Sequence, residues 1–376
     1  MNKKVLINCS NLHTGGGVAV ASSFLDCASK QLEGSSAEIH VLASSEVNKN
    51  LISLGADVRS FSSYEVKDFF GVSALWKGLS QRLTGYDVVF TVFGPSYDFA
   101  FGLKHIMGFA QPNIIYPDNP IFNSLDRKSR FYTRVKYFIQ ELFFWKASSL
   151  VVELDHVRRG LKRKALFGTK SITIVESAVH SVYSDRGKWL DLDLPEASGD
   201  IKLGIISRNY PHKNLKVLPG VKAILSEKYG LNVSFYVTFT DGEWQACNAQ
   251  FRENIINVGG LRLAQCPTFY AKMDGVIFPS LLECFSAVPI EAMKVERPIF
   301  ASDLDFIHDV CGSHAEYFDP LDEASIARSI YEYFELPEKV RAERVSAARD
   351  FVKRFPGPEI RARRYLELIE NELNAN

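Results

Sequence analysis

Short apolar runs alternate with stretches of helical periodicity along this chain, and they do so twice, once on each side of a polar segment. In the first half, Lys4 to Asn8 reads as a strand and Val18 to Gln31 as a helix, with further strands at Ile39 to Leu42, Val88 to Val92 and Leu150 to Val152. That is the rhythm of a parallel α/β sheet. The polar stretch Ser184 to Asp200, with Gly187, Pro195 and Gly199, reads as a linker. After it Lys202 to Ile206, Val233 to Thr238, Ile255 to Val258, Gly275 to Phe278 and Pro298 to Phe300 repeat the pattern, and amphipathic helices follow from Asp322, Pro337 and Pro358. The expected organisation is a doubly wound α/β domain over 1–185, a linker over 186–200 and a second such domain over 201–357. A terminal helix within 358–376 is expected to pack back on the first domain.

Composition narrows the function classes. At 376 residues and 46% hydrophobic the chain can bury a large core without disulfides or a structural metal. Lys plus Arg and Asp plus Glu both number 44, so there is no overall basic field to bind nucleic acid. The six cysteines form no CxxC pair, which suits a reducing compartment and small apolar core residues. The apolar run Val5-Leu6-Ile7 is too short for a signal peptide or a membrane span, and a cytoplasmic protein is expected.

Three segments could carry chemistry. After the first strand, Gly15-Gly16-Gly17 would let backbone amides approach a phosphate at a helix start, although a tight strand-to-helix turn also needs glycine. At the end of the first strand of the second half stand Arg208 and, after a short loop, Lys213 at the expected start of the next helix. Two cations at a strand's carboxyl end could neutralise a diphosphate, or be solvated surface charges. The most informative stretch runs from Phe278 to Met293. Pro289 suits the first turn of a helix, Glu291 falls in the same turn, and the positive helix end favours an anion. A carboxylate there can accept both hydroxyls of a ribose, or merely complement the helix dipole.

In order and content these segments resemble the retaining glycosyltransferases of group 1, or family 4, type. Glu283 and Glu291 stand like the two ends of that family's Glu-x7-Glu signature, with Phe285, Pro289, Ala292 and Met293 at flanking places. Arg208 and Lys213-Asn214-Leu215 resemble its diphosphate motif, and Gly15-Gly16-Gly17 its N-terminal loop. The resemblance implies the GT-B fold, two Rossmann-like domains facing across a cleft, with a nucleotide-diphosphate sugar as donor and no cofactor. It implies that Arg208 and Lys213 bind the diphosphate, Glu291 the ribose, and Glu283 the donor sugar. Phe285, Ser286, Ala287, Gly16, Gly17 and Leu261 would complete the donor side. Two departures stand out. Ser286 replaces a common glycine, and Gln111 stands where a histidine is often found, so that Gln111, with His13, is left for the sugar or acceptor side.

A glycosidase would need two carboxylates about the scissile bond, and with Glu291 on ribose only Glu283 remains near the sugar. The resemblance implies instead transfer with retained configuration and without metal, the leaving diphosphate being stabilised by Arg208 and Lys213. Asp303-Leu304-Asp305 has the letters of a metal motif but reads as turn chemistry. A sugar-nucleotide epimerase and a silent glycosyltransferase-like subunit are the rival readings. Residues 127–146 mix Arg127, Lys128, Arg130, Arg134 and Lys136 with seven aromatic rings. This segment either lies on an anionic membrane surface or packs its rings into the core. The membrane reading implies a lipid-linked saccharide acceptor and a surface polysaccharide such as O-antigen or capsule as product.

Overall fold

A computed structural model describes residues 3–32, 37–197 and 199–375. Met1, Asn2 and Ser198 of the expected linker lie outside the described residues, as do residues 33–36 and 376. The chain forms two units. One comprises Met1–Asp118, Leu125–Ala178 and Pro356–Asn376, the other Asn119–Ser124 and Val179–Phe355.

The first unit holds strands β1 (Lys3–Cys9), β2 (Ala37–Ala43), β3 (Ser63–Val66), β4 (Val88–Thr91), β5 (Lys104–Gly108), β6 (Ser149–Val152) and β7 (Ser171–Ile174), in the spatial order β3-β2-β1-β4-β5-β6-β7. Every pairing is parallel. β1 runs outward to β2 on one side and β4 on the other, so the direction of winding reverses between β1 and β4. Val5 and Ile7 of β1, Val88 and Phe90 of β4 and Phe24 of helix Gly16–Ser29 form one core. The helix Pro358–Asn374 closes this core, its buried Tyr365 ring 5.1 Å from both Phe24 and Phe90.

The second unit holds β8 (Ile201–Ile205), β9 (Val233–Val237), β10 (Ile255–Asn257), β11 (Gly275–Phe278), β12 (Ile299–Ser302) and β13 (Glu316–Phe318), again parallel, in the order β10-β9-β8-β11-β12-β13. Here the winding reverses between β8 and β11. Both sheets are thus doubly wound, and their central strands are buried on both faces, which is why they read as unbroken apolar runs. The polar stretch 186–200 is tied to the second unit: Leu190 N–H donates to Ala264 O at 2.9 Å and Lys272 Nζ to Leu192 O at 2.5 Å. The helix expected to start at Lys213 starts later, at Leu218. Lys213 sits in a 3-10 turn, Pro211–Lys213, because Asn214 takes a left-handed conformation with φ of 56° that breaks the path into the helix.

Candidate functional site

In an open parallel sheet the connections leaving the two strands at the winding reversal run to opposite faces, which leaves a crevice at their carboxyl ends. The chemistry-bearing segments of the second unit sit there: Arg208 and Lys213 follow β8, and Glu283 follows β11, the strand beside it. The two loops are stitched together by Leu281 N–H donating to His212 O at 2.7 Å, with Ser280 Oγ 3.2 Å from the same carbonyl.

Each cation has its own carboxylate. Lys213 Nζ is 2.5 Å from Glu283 Oε1, and the pair is largely enclosed, with side chains 14% and 12% exposed. Ser280 Oγ donates to the same oxygen at 2.7 Å, His212 Nε2 lies 3.8 Å away, and Lys213 stands over the Phe278 ring at 5.3 Å. Burial holds His212 below the ordinary imidazole value, with Lys213 adding to the depression and Glu283 opposing it. Arg208, 56% exposed, donates from Nε to Glu243 Oε1 at 2.8 Å. Burial works to raise the Glu243 carboxyl, but hydrogen bonds from Arg208, Thr240 and the Asn209 amide outweigh it and bring the value down to about 2. Glu243 is absent from the motif-based expectation. Its signal was local: Thr240 and Glu243 form a capping box at the start of helix Asp241–Gln245, and the same carboxylate reaches across to Arg208.

Glu291 lies in the first turn of helix Val288–Lys294, with Pro289 beside it as the spacing implies. The residue as a whole is only partly buried, yet its carboxyl sits among Tyr270, Tyr183 and Cys266. Tyr270 Oη donates to Oε2 at 3.3 Å and the Tyr183 hydroxyl donates as well. Burial pushes the carboxyl up to about 7, with the two tyrosine hydrogen bonds opposing the rise. A carboxylate oriented in this way by two phenols can still accept from a vicinal diol. Phe285, the buried Ser286 and Ala287 form the loop that enters this helix, and Leu261 follows the edge strand β10.

In the first unit the glycine loop follows β1. Of its three glycines only Gly15, with φ of 72°, is required by the backbone. A Cβ on Gly15 or Gly16 would meet no atom within 4 Å, so the turn alone does not explain the run, and the space above Gly16 is open. His13 is engaged by its own unit: Nε2 is 3.0 Å from Phe69 O, Nδ1 is 3.3 Å from Asp68 Oδ1, and the ring stacks on Phe70. Gln111 lies just past β5, at the start of the short helix Pro112–Ile115. Asp303 precedes helix Asp305–Cys311, and its carboxylate meets His308 Nε2 at 2.6 Å. Among the described residues no group of three or more His, Cys, Asp or Glu side chains is placed to hold a metal ion.

Residues 200–335, which include every one of these second-unit residues except Tyr183, match the family model described as glycosyl transferases group 1. The matched stretch lies wholly within the second unit. Over 137 residues, 36% of this chain, the sequence is 26% identical to the O-antigen chain mannosyltransferase RfbU of Salmonella typhimurium, and the match spans 39% of that relative's length. The whole chain superposes on sucrose-phosphate synthase from Thermosynechococcus elongatus with a TM-score of 0.70 at 12% identity, covering 100% of both chains. HepE from Anabaena, solved in complex with UDP-glucose, gives 0.69 at 14% identity over 98% of this chain and 99% of that one. A glycosyltransferase from Rickettsia africae gives 0.68 at 14% identity over 100% of both. At these identities the likeness establishes the fold, the two Rossmann-like domains of the GT-B glycosyltransferases.

Proposed function

We propose that this chain is a retaining, metal-independent glycosyltransferase that moves a sugar from a nucleotide-diphosphate sugar to a saccharide or lipid-linked saccharide. Its setting would be surface polysaccharide assembly at the inner face of the cytoplasmic membrane. The observation that carries the reading is the pair of cations after β8, each held by a carboxylate, at the winding reversal of a group 1 domain. Breaking a glycosidic bond to a diphosphate leaves negative charge on the phosphate oxygens, and fixed positive charge aimed at that position lowers the barrier. Arg208 and Lys213 would supply it, a task that otherwise falls to a divalent cation.

The carboxylates have a role in the same step. Glu283 holds Lys213 at 2.5 Å, and with a diphosphate sharing Lys213 its carboxylate would be free to accept a hydroxyl of the donor sugar. Glu243 holds Arg208, itself 56% exposed, and the exposed guanidinium can still reach a phosphate. Glu291 would take the ribose hydroxyls with its orientation set by Tyr183 and Tyr270. The backbone of Phe285 to Ala287, with Leu261, would line the donor; of the first unit's residues, Gly16 and Gly17 would also serve the donor, and Gln111 and His13 the sugar or acceptor side. The likeness to an O-antigen mannosyltransferase supports the polysaccharide setting.

The test is release of nucleotide diphosphate from sugar nucleotides in the presence of bacterial lipid-linked saccharides, comparing the full chain with Glu283→Gln. A variant that still binds the nucleotide but turns over at least about a hundredfold more slowly supports the assignment. Equal turnover in the two proteins contradicts it.

A further inference from the structure

We propose that the first unit docks on an anionic lipid bilayer through the outward face of helix Arg127–Trp145 and the adjoining loop that carries Phe99 and Phe101. The inference deepens the lipid-linked acceptor reading and rests on it for setting alone. The helix is apolar on the side away from the protein. Its buried residues are Gln140 and Phe144, and Phe144 packs on Phe109 with ring centroids 4.8 Å apart. At 3.6 residues per turn, Phe131, Tyr132, Val135, Phe138, Ile139, Leu142 and Trp145 fall on one arc, centred roughly 170° from those anchors. All seven are exposed, Phe131 to 65% and Phe138 to 58%. The alternative expectation, that these rings fill the core, is therefore overturned for this face. A soluble helix places such a stripe inward, and a contiguous exposed one marks an interaction surface.

The neighbouring loop extends the patch and is firmly built. Asp98, fully buried, forms an ion pair with Lys146 at the end of the helix, Lys146 Nζ also donates to Asp98 O at 2.9 Å, and Ser96 Oγ donates to the Asp98 carboxylate at 2.6 Å. Phe143 meets both Tyr97 and Phe99, and Phe101 beyond them is 74% exposed. A buried ion pair thus fixes the loop whose exposed Phe99 meets Phe143 of the helix, with exposed Phe101 two residues further on.

Charge selects the occupant. Arg127, Lys128, Arg130, Arg134 and Lys136 lie at the start of the helix and along the flanks of the arc, whereas its one acid, Glu141, is turned to Lys164 at 2.9 Å. A second copy meeting this face about a two-fold axis would bring the same cations to the same surface. Anionic headgroups complement them, with long cationic side chains at headgroup level and rings at the acyl boundary. No helix among the described residues is long and apolar enough to cross a membrane, so the geometry is that of a helix lying on the surface.

The experiment is co-sedimentation of the full chain with phosphatidylcholine vesicles, with and without phosphatidylglycerol, for the wild type, Phe131→Ser/Phe138→Ser and Arg127→Gln/Lys128→Gln. Melting temperature serves as the control for folding, and size-exclusion chromatography reports self-association. The proposal requires binding to phosphatidylglycerol vesicles, at least about tenfold weaker in each variant and in about 1 M salt, where the Debye length is roughly 3 Å. Binding that neither variant weakens overturns it, as does absence of binding. A wild-type dimer that becomes monomeric in Phe131→Ser/Phe138→Ser would also overturn it, by assigning the face to a second copy. Vesicle binding needs no sugar nucleotide and nucleotide binding needs no vesicle, so the failure of this proposal and that of the transferase reading are separable.

Discussion

The Glu291 carboxyl is raised from 4.5 to about 7, because burial among Tyr183, Tyr270 and Cys266 disfavours its charge. The folded state therefore holds a proton that the unfolded chain releases above its ordinary value. Stability then falls as pH rises from about 4.5 through about 7 and levels off above. Glu291→Gln removes that dependence, so the difference in melting temperature between variant and wild type should grow in the variant's favour from pH 5 to pH 8. A difference independent of pH would show that the carboxyl titrates normally. The Arg208–Glu243 pair makes a second prediction. Glu243→Gln removes the charge that pairs with Arg208 but keeps an amide oxygen for Thr240 and the Asn209 amide, so the fold should survive, and nucleotide affinity should change by no more than roughly fivefold, the ~1 kcal/mol of a partly exposed ion pair. Titration calorimetry reads this directly, and loss of the fold would contradict it. Arg208, Lys213, Glu283 and Glu291 were legible in the sequence because each lies within a few residues of a strand end or a helix start. Tyr183 was not, for it lies just before the stretch read as linker, within the span expected for the first domain, and reaches Glu291 only through tertiary packing.

The elements place these residues through the close approach of neighbouring strands. At Gly108, the last residue of β5, a Cβ would lie 1.8 Å from Val92 O beside β4, a clash with backbone that no side-chain movement relieves. Gly108→Ala should destabilise the first unit by about 3 kcal/mol or more, seen as a lower urea midpoint. The helix Arg127–Trp145 is held mainly by Gln140 and Phe144, the former donating to Tyr97 Oη at 3.1 Å. Phe144→Ala should cost about 3–5 kcal/mol, whereas Phe138→Ala on the outer face should cost close to nothing. Equal losses at the two positions would mean that the outer face is packed after all. Strand positions were readable because both faces of a central parallel strand are buried and the apolar run is unbroken. The direction of this helix's aromatic face was not readable, since a stripe at helical spacing fits a core and a bilayer equally well.

On the scale of the whole chain, each unit is a parallel sheet, and the first is completed from the far end of the sequence. Helix Pro358–Asn374 buries Ala362, Tyr365 and Ile369 against the β1 and β4 core, and Lys3 Nζ donates to Leu373 O at 2.5 Å. Periodicity marks the helix and its apolar face; which residues of the first unit's core that face covers depends on a return path that no local pattern encodes. Central to the account is the claim that Lys213 and Arg208, at the winding reversal of the second sheet, hold the diphosphate of a nucleotide sugar. The most direct test is the melting temperature of the full chain in EDTA with UDP, GDP, dTDP and CMP, for the wild type and Lys213→Met. At about 100 times its dissociation constant a ligand stabilises by roughly 2.7 kcal/mol. A clear rise with one nucleotide diphosphate, lost in Lys213→Met, is the expected result. A rise of equal size in both proteins, or none with any nucleotide, would contradict it.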